Sequence, residues 1–529
     1  MIAKSIGRFE EAVGLNYCAL ALQPDYAEGH NNLGVLFKDR KNGFDLAVAY
    51  FNRAVELNPG YADALANLGN AYTVRGRLDD AKSAIERALA IDPKNAGAHV
   101  NLGAVYQNQG LMAEAVACYK QALVARPDHA AAHSNLLMSL SYTLVDPDSL
   151  FNEFRRWERI HAAPVYHEIQ PHPNTRDPER KLRIGYLSAD FKTHPIAYNI
   201  EDLLAGHDPE RFEIYGYAEV QYPDHVTERL KGYTKGWVST LERSDSWVAN
   251  RIRKDEIDIP VSLAGHTAYN RPRVLAYKPA PVIASYGDLS TTGMRTVDCW
   301  LTDPVIHPEG EGAVAERFVE RLVRLPHLII HQPPEDAPDP VPPPHISAGR
   351  VAFGSFNNPA KLTPDVIRLW ARVLKAVPNS RMVLKFFSVM GNAGFRDRVV
   401  GQFAAAGVGA ERIEFLGQLS ERANHLGELG RVDIALDPFP FNGCTTSFEA
   451  LWMGVPVVTL AGNRFLGRMG ASFLTQVGLG DLIASDADSY VATAAASKLC
   501  RSRMRSGACG GIGARATMPM CPWPEAAGE

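Results

Sequence analysis

A helical solenoid followed by two doubly wound α/β domains is the fold this sequence predicts, and three observations predict it. Prolines recur at Pro24, Pro59, Pro93 and Pro127, at steps of 35, 34 and 34 residues. From Leu182 onward, short continuous apolar runs alternate with helical periods. A Pro-rich stretch, His331 to Arg350, divides those runs into two blocks. Self-similarity at such a period is the mark of a stacked helical array. Continuous apolar strands separated by helices call for parallel sheets covered on both faces.

The repeat reads as two amphipathic helices per unit, for example ADALANLGNAYTVRG followed by LDDAKSAIERALAIDP. Leu33-Gly34, Leu68-Gly69 and Leu102-Gly103 keep the same step, which continues to Leu136. The glycine marks close helix packing, and the proline ends the second helix by removing a donor and clashing with the turn before it. These units resemble tetratricopeptide repeats and occupy residues 1–142. The chain opens in mid-unit, on GRFEEAVGLNYCALALQPDY. An exposed apolar edge there, or a natural protein that extends further upstream, is therefore expected. Asn32, Asn67, Asn101 and Asn135 recur one per unit, on the inner, concave side. A line of amides can grip the backbone of an extended peptide; equally, each can bond neighbouring helices within the stack. Spacing leaves the two readings level.

Residues 143–180 connect the solenoid to the α/β region through a helix, LFNEFRRWERIHA, and then a polar, Pro-rich linker. His161, His167 and His172 lack metal-ligand spacing and are expected in solvent. The two α/β domains are placed at 181–345 and 346–496. The first carries LRIGYLS, FEIYGYAEV, IDIPVSLAG and CWLTD; the second carries VAFGSFN, RMVLKFF, RIEFLG, VDIALD and VPVVTL. In such sheets, ligands bind outside the carboxyl ends of the strands.

The stretch LDPFPFNGCTTSFEALWMGVPVVTL holds the most chemistry. A strand ends near Asp437 and a helix begins at about Thr445. The first N–H groups of a helix lack intrahelical partners, and the macrodipole draws phosphate to them. Gly443 lets the backbone come close, Thr445 and Thr446 add hydroxyls, and Glu449 stands one turn inside, where it could accept sugar hydroxyls. The plainer alternative is a threonine cap on an ordinary helix. In GSFNNPAKLTPDV, Lys361 stands just ahead of Thr363-Pro364, a helix start. An ammonium there can neutralise a diphosphate. His194, in SADFKTHP, and His266, in SLAGHTAYN, stand at strand ends of the first block and are candidates for acceptor or phosphate contact. No Asp-x-Asp pair falls at a strand end, so a metal-independent site is expected, with no cofactor.

Composition narrows the setting. The 529 residues are 46% hydrophobic and 22% charged, with a net charge of -4, which is the profile of a globular protein with no global pull toward nucleic acid or anionic membrane. The N-terminus turns charged too early for a secretory signal, and no apolar run is long enough to span a bilayer. Seven scattered cysteines without a CxxC pair point to a reducing cytoplasm. The oligomeric state is not fixed by any of this.

Together, LRIGYLSADFKTHP, LAGHTAYNR, KPAPV, FGSFNNPAKLTP, VPNSR and DIALDPFPFNGCTTSFEALWMGVPVVTLAG resemble glycosyltransferase family 41, the protein O-GlcNAc transferases and SPINDLY-type proteins, over roughly residues 10–496. The resemblance implies a GT-B fold whose C-terminal half holds the nucleotide-sugar. It implies that Lys361 binds the diphosphate and stabilises the leaving nucleotide, and that Asn358 contacts the nucleotide. It further implies that His425 packs on the base with Arg422 nearby, that Thr445 and Thr446 bind phosphate, and that Glu449 takes the ribose. His194 would line the active site, and the asparagine row would hold acceptor peptides. The implied reaction is inverting transfer to Ser or Thr of GlcNAc from UDP-GlcNAc, or, in a SPINDLY-like alternative, of fucose from GDP-fucose. Two features depart from the family. After KPAPV it shows Gln, then Trp and a Gly-Tyr-Pro-like turn; here Ile283 opens the shorter IASYGDLSTTG. Residues 497–529 have no helical period and carry three of the seven cysteines, so a disordered tail is expected. These departures keep alive two other readings: a catalytically impaired repeat scaffold, or a transferase acting on a small molecule.

Overall fold

The computed structural model describes residues 9–497, apart from 39, 41, 178, 311–313, 329–330, 332–336, 387–390, 418 and 420–421. Of the expected tail, 497–529, Ser497 is described, buried at the end of helix Ala487–Ala496, and 498–529 lie outside the described residues.

Eight described helices, from Phe9–Leu22 to Ala130–Ser141, stack as antiparallel pairs. Helix Leu78–Ile91 shows why: Leu78, Ala81, Ala84, Ile85 and Ala88 share one buried stripe, with Asp79, Asp80 and Glu86 outside it. The repeated glycine is set by packing. A Cβ on Gly34, Gly69 or Gly103 would fall 2.5, 2.3 or 2.7 Å from Phe51, Ile85 or Tyr119 on the partner helix. Helix Phe9–Leu22 exposes Leu15 and Leu22.

Helix Pro147–Trp157, capped by Asp146, runs into a π-helical turn, Glu158–Ala162, and a 3₁₀ turn, Ala163–Glu168. Two of the three connector histidines depart from the expected solvent exposure. His161 is buried, and its Nε2 lies 3.0 Å from Nδ1 of buried His133. His172 is half-buried and bonds the Lys278 carbonyl at 3.0 Å; His167 alone of the three is exposed.

The first α/β lobe has seven strands: β1 Leu182–Ser188, β2 Phe212–Ala218, β3 Gly236–Ser239, β4 Ile259–Leu263, β5 Ala284–Tyr286, β6 Cys299–Thr302 and β7 Arg321–Arg324. Their order is β3-β2-β1-β4-β5-β6-β7, all parallel. The second lobe has six: β8 Ala352–Ser355, β9 Arg381–Lys385, β10 Ile413–Leu416, β11 Ile434–Leu436, β12 Val457–Leu460 and β13 Ile483–Ala484, in the order β10-β9-β8-β11-β12-β13, also parallel. Two doubly wound sheets are thus observed, as the alternation of strands and helices requires. The loop that departs from the family is built into the first sheet. Ile283 is fully buried, Ala284–Tyr286 pairs with both neighbours, and the Tyr286 hydroxyl bonds the Leu328 carbonyl at 2.9 Å.

The lobes and the solenoid share their cores. Trp300 meets Phe465 edge-on at 4.5 Å, Arg468 donates to the carbonyls of Val305 and Ile306, and Ser472 donates to Asp303 at 2.6 Å. On the solenoid side, Leu65, Ile85 and Val105 belong to the same apolar cluster as Trp370 and Leu384 of the second lobe.

Candidate active site

Strand ends of both lobes meet. After β1, the chain enters helix Pro195–Ala205; after β11 it enters the loop that precedes helix Thr445–Trp452. The two elements touch where the Asn199 amide lies 3.6 Å from the Cys444 sulfur. A cleft of about 310 Å³, lined by Phe356, Asn357, Asp437, Thr446 and Ser447 among others, lies at the carboxyl ends of β8 and β11.

Helix Thr445–Trp452 has no side-chain cap: Cys444 occupies the cap position and makes no capping bond. The threonine-cap alternative is therefore not what the structure has, and the Thr445 hydroxyl is buried without a partner among the described residues. The preceding loop is held from below by Asp437. Its Oδ1 accepts the Gly443 N–H at 2.6 Å and its Oδ2 accepts the Thr459 hydroxyl at 2.7 Å. Burial pushes this carboxyl up to about 6, opposed by those donors and by the Lys361 charge. Gly443 is a requirement of space, because a Cβ there would stand 2.4 Å from the Ser447 hydroxyl and 2.7 Å from that of Thr446.

Lys361 ends a short 3₁₀ turn, Pro359–Lys361, that follows β8. Its Nζ donates to the Asn442 carbonyl at 2.6 Å, lies 3.5 Å from Asn357 Oδ1, and stands 4.3 Å from the centre of the Phe441 ring. Burial pulls its pKa down to about 8, against the opposing influence of Asp437 and Cys444. Asn357 joins the two halves of the pocket, because the same Oδ1 accepts the Thr446 hydroxyl at 3.0 Å. Asn358, to which the family resemblance assigns a nucleotide contact, lies beside it. Asn358 is exposed and caps the turn, accepting the Ala360 N–H at 3.0 Å. Adjacent residues of an extended chain face opposite ways, so the buried amide is Asn357.

A second cluster surrounds Glu449, which is buried and not open to solvent at the helix mouth. Arg422 donates to its Oε1 at 3.1 Å, and His425 Nε2 is 3.5 Å from its Oε2. Burial opposes the Glu449 charge, yet the His425 bond and the nearby cations hold its pKa below the usual value. Lys385, at the end of β9, donates to His425 Nδ1 at 2.6 Å, which fixes that ring with Nε2–H toward Glu449. Arg422 also lies over the Tyr198 ring at 3.8 Å and donates to His331 Nε2 at 3.2 Å; the His331 Nδ1–H donates to Asn199 Oδ1 at 2.8 Å. Burial lowers the pKa of His331 to about 4, so the ring is neutral and can accept from Arg422. A continuous relay of donors thus crosses from one lobe to the other.

His194 caps helix Pro195–Ala205, accepting the Ile196 N–H on Nδ1 at 3.3 Å, and burial lowers its pKa. A neutral ring that accepts on Nδ1 carries its proton on Nε2. It presents a donor, which suits holding an oxygen better than removing a proton. His266 is placed elsewhere. Its ring packs edge-on against Trp157 at 4.7 Å, Nδ1 lies 3.1 Å from the Ser134 hydroxyl of the solenoid, and its backbone N–H bonds Asp288 at 3.3 Å. It is buried where solenoid, connector and first lobe meet, away from Lys361 and Glu449.

The asparagine row is half-exposed at all four positions. Two of its members are also fastened between repeats: Asn67 donates to Asn31 at 3.0 Å, and Asn101 donates to the Ala66 carbonyl at 2.8 Å while accepting from Asn70 at 3.2 Å. Among the described residues, Asn32 and Asn135 make no such bond. Stapling of the stack and partial exposure are thus combined along one row.

The family model described as glycosyl transferase family 41 matches residues 156–331 and 345–505. The chain belongs to glycosyl transferase family 41. Tetratricopeptide repeat models match residues 38–96 and 75–137 of this family member. It is 40% identical over 354 residues to the probable UDP-N-acetylglucosamine–peptide N-acetylglucosaminyltransferase SPINDLY of Arabidopsis thaliana, covering 65% of this chain and 38% of that protein. To the similarly named SEC protein of the same plant it is 31% identical over 313 residues, covering 57% of this chain and 31% of that one. The chain thus spans about two fifths or less of these relatives. Among solved structures, a mutant of the O-GlcNAc transferase of Thermobaculum terrenum superposes with a TM-score of 0.84 at 32% identity, covering 91% of this chain and 92% of the other. The solenoid followed by a two-lobed GT-B transferase is therefore the architecture of this family 41 chain.

Family motifs and geometry agree on the C-terminal lobe. Lys361 and Thr446 meet on the Asn357 side chain, and Arg422 and His425 meet on Glu449, in the same helix as Thr446. Asn357, Asp437, Lys385 and His331 were not singled out from the sequence. Asp437 had a signal, a carboxylate at a strand end six residues before a glycine. His331 had none, standing in a Pro-rich linker.

Proposed function

We propose that the protein is a protein O-glycosyltransferase that moves GlcNAc from UDP-GlcNAc to Ser or Thr hydroxyls of acceptors held by the repeats, in the cytoplasm and without a metal cofactor. The observation that carries this is that the Lys361 ammonium and the Thr446 hydroxyl meet on one amide oxygen, Asn357 Oδ1, beside the start of helix Thr445–Trp452, which has no side-chain cap. As the acceptor oxygen bonds to the sugar's anomeric carbon, the bond from that carbon to the β-phosphate oxygen breaks and its electron pair leaves with the diphosphate. The hydroxyl proton passes to water or to the departing diphosphate. Negative charge grows on the β-phosphate, where a cation and aimed N–H groups lower the barrier most. On this reading Arg422, His425 and Glu449 would take the nucleoside, and His194 would give its Nε2–H to an oxygen of donor or acceptor.

A SPINDLY-like O-fucosyltransferase using GDP-fucose is the second reading, favoured by the higher identity to the SPINDLY protein than to SEC. Incubation of the purified protein with a cell extract and either UDP-GlcNAc or GDP-fucose, followed by mass spectrometry of Ser and Thr, tests both. New sugar from one donor selects that reading. New sugar from neither leaves the impaired scaffold standing.

A further inference from the structure

We infer that the end of the repeat solenoid is part of the donor site, with Tyr142 and Gly110 acting as positioning residues for the Lys361 ammonium; this rests on the leaving-group role proposed above for Lys361.

A lysine at the end of a three-residue turn has little of its own to hold it still. Its side chain has four rotatable bonds, and a catalytic cation displaced by about 1 Å can cost on the order of a hundredfold in rate. What steadies Lys361 comes in part from the solenoid. Gly110, in the turn between helices Ala96–Asn108 and Met112–Ala125, packs its Cα on the turn that bears Lys361. A Cβ there would stand 2.8 Å from the Leu362 carbonyl oxygen and 2.9 Å from that of Pro359, and its φ of +73° is one that glycine favours. The next layer is apolar. Met112, Met138 and Tyr142 of the solenoid cluster with Ala360 and Phe441. The Tyr142 ring stacks on Phe441 at 4.9 Å, and Phe441 is the ring over which the Lys361 ammonium sits. Arginines of the second lobe hold both solenoid elements. Arg398 donates to the Gln109 carbonyl, beside Gly110, and Arg464 donates to the Thr143 carbonyl, beside Tyr142, at 2.6 Å. Two separate solenoid segments therefore press on the backbone and on the ring that fix one cation.

The test uses the full chain with Tyr142→Ala, Tyr142→Phe and Gly110→Ala, assayed with an acceptor peptide and whichever nucleotide-sugar is turned over. Tyr142→Ala and Gly110→Ala are expected to lower kcat about tenfold or more, with the peptide KM within about twofold of the parent. Tyr142→Phe, which keeps the stack, is expected to restore kcat. Water admitted around Lys361 should also move the alkaline limb of kcat/KM upward in Tyr142→Ala. A folded Tyr142→Ala enzyme with the parent kcat and pH profile, or one whose whole loss lies in peptide KM, overturns the inference. Should Tyr142→Ala fail to fold, Tyr142→Leu, which keeps bulk and loses the ring, is judged by the same measurements. Lys361→Ala separates the two levels. Retained turnover there overturns the leaving-group role and this inference with it. Lost turnover, alongside parental rates in the Tyr142 and Gly110 variants, overturns this inference alone.

Discussion

At the scale of single residues, one buried cation and one missing Cβ dominate. Lys361 titrates at about 8, so it is charged at neutral pH and becomes neutral as pH rises through that value. Because kcat/KM reports the free enzyme, its alkaline limb should fall near pH 8. Lys361→Ala should lower kcat by about a hundred- to a thousandfold, the usual scale for removing a group that stabilises developing charge. Lys361→Arg should be slow but lose the limb near pH 8, because a guanidinium stays charged far above it. Steady-state rates from pH 6 to 10 check both. Gly443→Ala presses a methyl into the hydroxyls of Ser447 and Thr446. Overpacking of this kind costs about 1–3 kcal/mol of stability; if the same strain falls on the bound loop, calorimetric titration should show about a fivefold or greater loss of nucleoside diphosphate affinity. At this scale the sequence revealed residue types better than directions. It singled out Asn358, which is exposed, but not Asn357, which is buried between Lys361 and Thr446, because nothing in a single chain fixes which of two adjacent asparagines turns inward. It placed Glu449 at the helix mouth but could not show that Arg422 and His425 already hold it, since those contacts come from a different strand end.

At the scale of elements, strong periodicity was readable and short edges were not. The 34-residue step set every solenoid helix in place, and β1 stands where LRIGYLS predicts it. β3, β7 and β13 are edge strands of four, four and two residues, and the inner β5 has three; none stands out as an apolar run, and their pairing comes from neighbours already in the sheet. The asparagine row yields a prediction here. Asn101 bonds two groups of the preceding repeat, so Asn101→Ala should lower stability by about 1 kcal/mol or more, the net value of a hydrogen bond, because it also strips a neighbour of its partner. Asn135 has no such bond among the described residues, so Asn135→Ala should leave the melting temperature unchanged and raise the peptide KM. Thermal melts and kinetics on the two variants distinguish staple from grip.

For the whole molecule, the solenoid cannot be regarded as a separate arm. Leu65, Ile85 and Val105 lie in one apolar cluster with Trp370 and Leu384, and the first lobe's core takes in Leu137 along with Phe448, Phe465 and Phe473 of the second. Cooperative units follow shared cores. Calorimetry should accordingly show the last repeats and both lobes melting in one transition, and a nucleoside diphosphate should raise that transition as a unit. Two resolved transitions, with only one moved by nucleotide, would contradict it.

Helix Ala130–Ser141 and its flanks touch both lobes, through Ser134 on His266 and through Tyr142 and Thr143 on Phe441 and Arg464. Such a brace ties the two halves together like a splint over a joint. Opening the jaws to release spent nucleotide would have to bend it, so product should escape by local loosening near the pocket rather than by a wide swing of the halves.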